Sequence, residues 1–114
     1  MNSNQLYSQA QKLRADANTR RGLAQKATYN ADTYRNDGDD RRADVELHQA
    51  QTLEQEAVSL DSQAEQLDAT AHRQEARSQE LDEERQRIES EYKSKLAAID
   101  KEQEQLKGGG MGLF

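Results

Sequence analysis

Alanine recurs every seven residues along two stretches of this chain, at positions 10, 17, 24 and 31 and again at 43, 50, 57, 64 and 71. Around the first set, steps of four and three link Leu6, Ala10, Leu13, Ala17, Arg20, Ala24, Ala27, Ala31 and Tyr34. A seven-residue repeat of small and apolar side chains in alternating steps is the seam of a helical coiled coil, with the alanines at position a and the others at d. Arg20 is the exception in an otherwise apolar or small stripe. The second seam runs through Ala43, Ala50, Leu53, Ala57, Leu60, Ala64, Leu67 and Ala71.

The two seams are out of phase, because a continued first repeat would place a at residues 38 and 45. The jump coincides with Asn36-Asp37-Gly38-Asp39-Asp40. Gly38 suits the left-handed conformation that ends helices. Asp39 or Asp40 can cap the next helix, with a carboxylate near its positive end. Phase shift and punctuation together predict two helices folded back on each other as an antiparallel hairpin.

A turn at Gly38 also sets which residues face each other. With a opposite d, Leu6 faces Ala71, Ala10 faces Leu67, Leu13 faces Ala64 and Ala17 faces Leu60. Further along, Arg20 faces Ala57, Ala24 faces Leu53, Ala27 faces Ala50 and Tyr34 faces Ala43. Large meets small in most layers, as in closely packed alanine-rich helix pairs. Each buried seam leucine is expected to contribute roughly 1.5–3 kcal/mol.

Charge supports the same pairing. Residues 1–36 carry six basic and two acidic side chains, whereas residues 37–72 carry two basic and ten acidic ones. A basic helix lying against an acidic one neutralises it within the chain. The flanking positions then bring Arg14 near Asp61 and Asp68, Arg21 near Glu54 and Asp61, and Arg35 near Asp40. Such exposed pairs are individually weak and act mainly on orientation.

Composition rules out a globular core and suits either disorder or a long helical coiled coil, between which the periodicity decides. Hydrophobic residues make up 32% of the 114 residues, many of them alanine, and charged residues 33%, so bulky apolar side chains are too few for a globular core. Proline is absent, and alanine, glutamine, glutamate and leucine are abundant, which favours helix throughout. The expected class is therefore all-α: an antiparallel α-helical hairpin with its second helix extended as a long coiled coil and a flexible glycine-rich tail. The expected segments are a first helix over 1–36, a turn at 37–40, a hairpin-paired stretch at 41–72, an extension at 73–107 and a tail at 108–114.

The second helix, from about residue 39 to 107, would reach ~100 Å at 1.5 Å per residue, about twice the first. Its extension therefore lacks an intrachain partner. The seam there keeps Leu81, Ile88, Tyr92, Ile99 and Leu106 but is interrupted by Arg85, Lys95 and Glu102. A lone helix of this type is marginal in water despite its many i,i+4 charge pairs, which predicts packing against copies of itself or other protein subunits. A back stripe on the first helix, Ser8, Ala15, Gly22 and Tyr29, is small enough to admit a neighbouring helix at Gly22.

The C-terminal residues read Lys107-Gly-Gly-Gly-Met-Gly-Leu-Phe114. Gly108 is expected to stop the helix, leaving Met111, Leu113 and Phe114 outside any seam as an apolar docking segment for a partner.

No catalytic constellation is visible. His48 and His72 lie 24 residues apart on one helix, ~36 Å, and cannot share a site within one chain. The carboxylates have the spacing of a solvated helix face. There is no cysteine for a disulfide or thiolate metal site, no phosphate-cradling loop and no calcium-loop pattern. No enzyme activity, cofactor or metal is expected. The dyads Arg20-Arg21 and Arg41-Arg42 lie outside any basic region and lack interleaved aromatics, which argues against nucleic acid. No signal-peptide core or membrane-length apolar run is present, so a cytoplasmic or virion-packaged protein is expected.

In its Gln/Ala-rich helical composition the chain is similar to small structural proteins found in virions of tailed bacteriophages. That likeness implies an internal, connector or tube-forming role. The off-centre hairpin also resembles the stalk proteins of type III secretion ATPases and prefoldin-like tentacles, which implies an escort or chaperone role instead. Small secreted hairpins with a Trp-x-Gly turn are contradicted by Asn36-Asp37-Gly38 and by the absence of tryptophan. The residues favour a non-enzymatic structural or assembly component.

Overall fold

The computed structural model of the chain describes the backbone of residues 1–113 and the side chains of residues 1–108. Two helices account for nearly all of it: α1, Ser3–Asn36, and α2, Asp40–Leu113. The fold is all-α. The chain divides into two compact units, Met1–Glu75 and Ala76–Phe114. The first holds α1 and the part of α2 that folds back against it, and the second holds the rest of α2.

Each end of α1 is closed by its own residues. Asn2 is the N-cap: its side-chain oxygen accepts from the Gln5 backbone N–H at 2.9 Å, and Gln5 Oε1 accepts from the Asn2 N–H at 2.9 Å. This reciprocal box satisfies two donors that the first helical turn leaves unpaired. At the other end the Gly38 N–H donates to the Arg35 carbonyl at 3.0 Å and the Asp39 N–H to the Tyr34 carbonyl at 2.8 Å. These two bonds make a Schellman motif, and it requires Gly38 at φ 83°, where a Cβ would be strained.

Of the two expected caps for α2, Asp39 takes the role. Its Oδ1 accepts from the Arg42 N–H at 3.2 Å. The Arg42 guanidinium closes back on the Asp39 carboxylate at 3.4 Å and lies 5.7 Å from the centre of the Tyr34 ring. Asp40 stands in the first turn of α2 and Arg35 in the last turn of α1, each complementing its helix dipole.

Inside the hairpin the alanines form the buried interior. Ala10, Ala17, Ala24 and Ala31 of α1 and Ala43, Ala50, Ala57, Ala64 and Ala71 of α2 are all buried. Ala24, Ala27 and Ala50 share one cluster with Leu53 packed against it, which brings together the four residues expected in two neighbouring layers. The leucines differ from expectation. Leu6 is buried, but Leu13, Leu53, Leu60 and Leu67 are only half-buried, as is Tyr34. The physical reason is geometric. A methyl at every a position lets two backbones approach closely, and with no third element overhead the larger d side chains wrap the margins of the seam. The seam therefore stabilises less per leucine than full burial would.

One other expectation needs correction. Gly108 does not stop the helix: it is helical, without positive φ, and α2 continues to Leu113. Glycine permits a left-handed stop but does not impose one, and no proline follows to forbid further helix. The tail expected to start at residue 108 thus begins as helix. The assigned docking residues Met111, Leu113 and Phe114 lie outside the described side chains.

Candidate interaction surfaces

Polar contacts across the hairpin follow from the helix phases. Arg14 forms an ion pair with Asp68, and Arg21 one with Asp61. The Asp68 hydrogen bond holds Arg14 even more firmly protonated than a free guanidinium, with burial opposing and the Asp61 and Glu65 charges adding to the effect. Arg35 meets Asp44 at 3.7 Å and not Asp40, because Asp40 lies in the first turn of α2 and Asp44 one turn further on reaches back across α1. Glu54 forms no ion pair among the described residues.

Arg20, the charged interruption of the first seam, is answered from the other helix: its Nε lies 3.0 Å from Glu56 Oε2. A seam position can thus hold a charge if the opposite helix supplies the counter-charge at its edge. Three of the four arginines in the two basic dyads, Arg20, Arg21 and Arg42, point at carboxylates of this chain.

Near the far end of the hairpin from its turn, Tyr7 of α1 reaches α2. Its hydroxyl donates to Glu75 Oε2 at 3.1 Å and lies 2.9 Å from His72 Nδ1. A phenol has one hydrogen; with that hydrogen on Glu75, His72 must donate from Nδ1 to the Tyr7 oxygen. The two rings meet edge to face, with centroids 5.4 Å apart. Partial desolvation, followed by the bond to Glu75 and the charges of Glu75 and Asp68, pushes the Tyr7 hydroxyl above the usual phenol range. His72 is exposed but tied into this contact. The linkage was missed because Tyr7 and His72 sit outside the a and d positions. The helix phase alone does bring residues 7 and 75 to facing flanks, so the signal was present.

Gly22 lies on the exposed back of α1, and a Cβ added there would meet nothing within 4 Å. Leu23, Tyr29, Val45 and Val58 are exposed at separate points of the hairpin. Scattered apolar side chains of this kind are normal on a protein surface.

The second unit is different. Beyond Ala71 every described side chain of α2 is exposed, and Leu81, Ile88, Tyr92, Ile99 and Leu106 are among them. At 100° per residue these five fall within about 20° of a single line along the helix, with Leu96 about 60° to one side. Their exposure runs from 48% at Leu81 to 68% at Leu106, so each leaves about half or more of its surface uncovered. An apolar line of this kind, although interrupted by Arg85, Lys95 and Glu102, differs from scattered residues, since one helix laid along it would cover all five side chains.

Among the described residues no group of three or more His, Asp or Glu side chains is placed to hold a metal ion. Among those same residues, no helix is long and apolar enough to cross a membrane. No family model, no curated protein and no solved structure matches the chain.

Proposed function

We propose that this chain is a non-enzymatic structural component of a multi-subunit assembly, in which the hairpin is a rigid module and residues 76–107 make the subunit contact. The observation that carries this reading is the uncovered apolar line Leu81, Ile88, Tyr92, Ile99 and Leu106. A 74-residue helix whose outer part has no partner is marginal by itself, and burying this line against another helix supplies what it lacks. In the hairpin, by contrast, arginines and carboxylates meet within the chain and no cluster of acid/base groups converges on a cleft. Met111, Leu113 and Phe114 are proposed, from sequence alone, as a second apolar contact.

The test is light scattering and affinity isolation of the full chain and of an Ile88→Asp, Ile99→Asp variant. The native chain should form a defined oligomer or leave its source with a large particle at fixed stoichiometry. The variant should lose that association and keep the thermal unfolding of the hairpin. A native chain that remains a monomer and joins no particle overturns the reading. Transient, substoichiometric association would favour an escort role instead.

A further inference from the structure

The apolar line of the second unit is broken at three seam positions, by Arg85, Lys95 and Glu102, and their spacing carries information. The hairpin shows how antiparallel helices with this repeat meet. Arg14 pairs with Asp68 and Arg21 with Asp61, so a step forward on one helix is matched by the same step back on the other, and Ala24, Ala27, Ala50 and Leu53 cluster in the seam between them. Applying that relation to two copies of residues 76–107 gives only a few registers.

In one of them every seam residue from 81 to 106 meets a suitable partner. With Leu81 opposite Leu106 of a second copy, Arg85 falls opposite Glu102, Ile88 opposite Ile99, and Tyr92 opposite Lys95. The pairs then repeat in reverse about a two-fold axis between residues 93 and 94, as a self-complementary interface requires. The opposite charges face each other, and the lysine meets an aromatic face. The flank agrees. Arg14 and Asp68 show which flanking positions touch across an antiparallel pair, and the same relation brings Leu96, 41% exposed, against its own copy.

Other arrangements fail on the same residues. A parallel in-register pair stacks Arg85, Lys95 and Glu102 each on itself, three like-charge contacts. Shifting the antiparallel pair by one heptad sets Arg85 against Lys95 in one direction. In the other it leaves Lys95 against Ile99 and Glu102 against Tyr92. Charged seam residues commonly select orientation at some cost in stability, and Arg20 with Glu56 shows this chain accommodating one such charge.

We infer that residues 76–107 bind the same segment of a second copy, antiparallel, in the register that sets Leu81 opposite Leu106. The inference rests on the assembly reading above and names its partner as this chain itself.

The chain has no cysteine, so engineered thiols report the geometry directly. Full-length Leu81→Cys and Leu106→Cys chains, oxidised at concentrations where the native chain is oligomeric, should cross-link only when mixed. Each variant alone places its two thiols about 37 Å apart. Leu96→Cys should cross-link by itself. Self-cross-linking of Leu81→Cys or Leu106→Cys would overturn the antiparallel arrangement.

The charges supply a second arm. Arg85→Glu or Glu102→Arg alone should weaken self-association about tenfold or more, and the two together should restore it. Failure of the double variant to recover, with the hairpin still unfolding normally, overturns the register. A native chain that is monomeric yet joins a large particle at fixed stoichiometry sinks self-pairing while leaving the assembly reading intact. A monomer that joins nothing sinks both.

Discussion

Ala27 of α1 and Ala50 of α2 are buried in one cluster, 23 residues apart in sequence and at its end nearest the turn. Neither could be much larger. The interior of this hairpin is a double column of methyl groups, and the distance between the two backbones is set by them. Substituting leucine for Ala17 or Ala57, both with no exposed surface, should force the helices apart and destabilise by roughly 1–3 kcal/mol. The opposite change at a margin, Leu60→Ala, should cost about 1–2 kcal/mol, less than for a fully buried leucine. Urea unfolding followed by circular dichroism separates the two; a larger loss at Leu60 than at Ala17 would place the core in the wrong column.

Two glycines of the hairpin should respond in opposite directions. Gly38 sits at φ 83° and holds the Schellman bonds, so Gly38→Ala should destabilise by roughly 1–2 kcal/mol. Gly22 is in ordinary helix with open space around its α-carbon, so Gly22→Ala should stabilise by about 0.5–1 kcal/mol. The same two variants measured in the assembled state test the back stripe as well. If Gly22→Ala raises hairpin stability and abolishes oligomerisation, a neighbouring helix approaches α1 there.

The ion pairs should matter more for orientation than for stability. A double-mutant cycle on Arg21 and Asp61 should give a coupling of roughly 0.2–1 kcal/mol, because both side chains are about one-third exposed. The coupling should shrink in molar salt. A value several-fold larger, insensitive to salt, would show that the pair is shielded from solvent.

Tyr7 predicts a pH dependence at the alkaline end. A phenol with a higher pKa folded than unfolded adds stability that is present below the unfolded value, near 10, and is lost as pH rises through the folded one. Stability should therefore decline over that interval more steeply in the native chain than in Tyr7→Phe. Chemical unfolding across the alkaline range, with phenolate absorbance recorded in parallel, reads both quantities. Identical slopes in the two chains would remove the contact between Tyr7 and Glu75 from the folded state in solution.

Much of this architecture was legible because helices have one strong period. Seven-residue alanine spacing gave the faces, the phase jump at residues 36–40 gave the turn, and together they implied facing pairs such as Ala24 with Leu53. The N-terminal capping box was also readable, since Asn2 stands three residues before Gln5, but a repeat-based reading passes over residues that precede the first seam position. The Tyr7, His72 and Glu75 contact was harder to see. Those side chains reach across from flanking positions, where several partners lie within range and only the final rotamers choose one.

By itself, then, the sequence determined the helical class, the antiparallel hairpin and the apolar line along residues 81–106, because each depends on periodicity and on local punctuation by Gly38. Tertiary structure decided the rest. It chose Asp39 over Asp40 as the cap and Asp44 over Asp40 for Arg35. It also placed the leucines at the margins of the seam instead of inside it. The reason is shared: period specifies which face a residue occupies, whereas backbone separation and side-chain reach, which only packing sets, specify what it touches and how deeply it is buried.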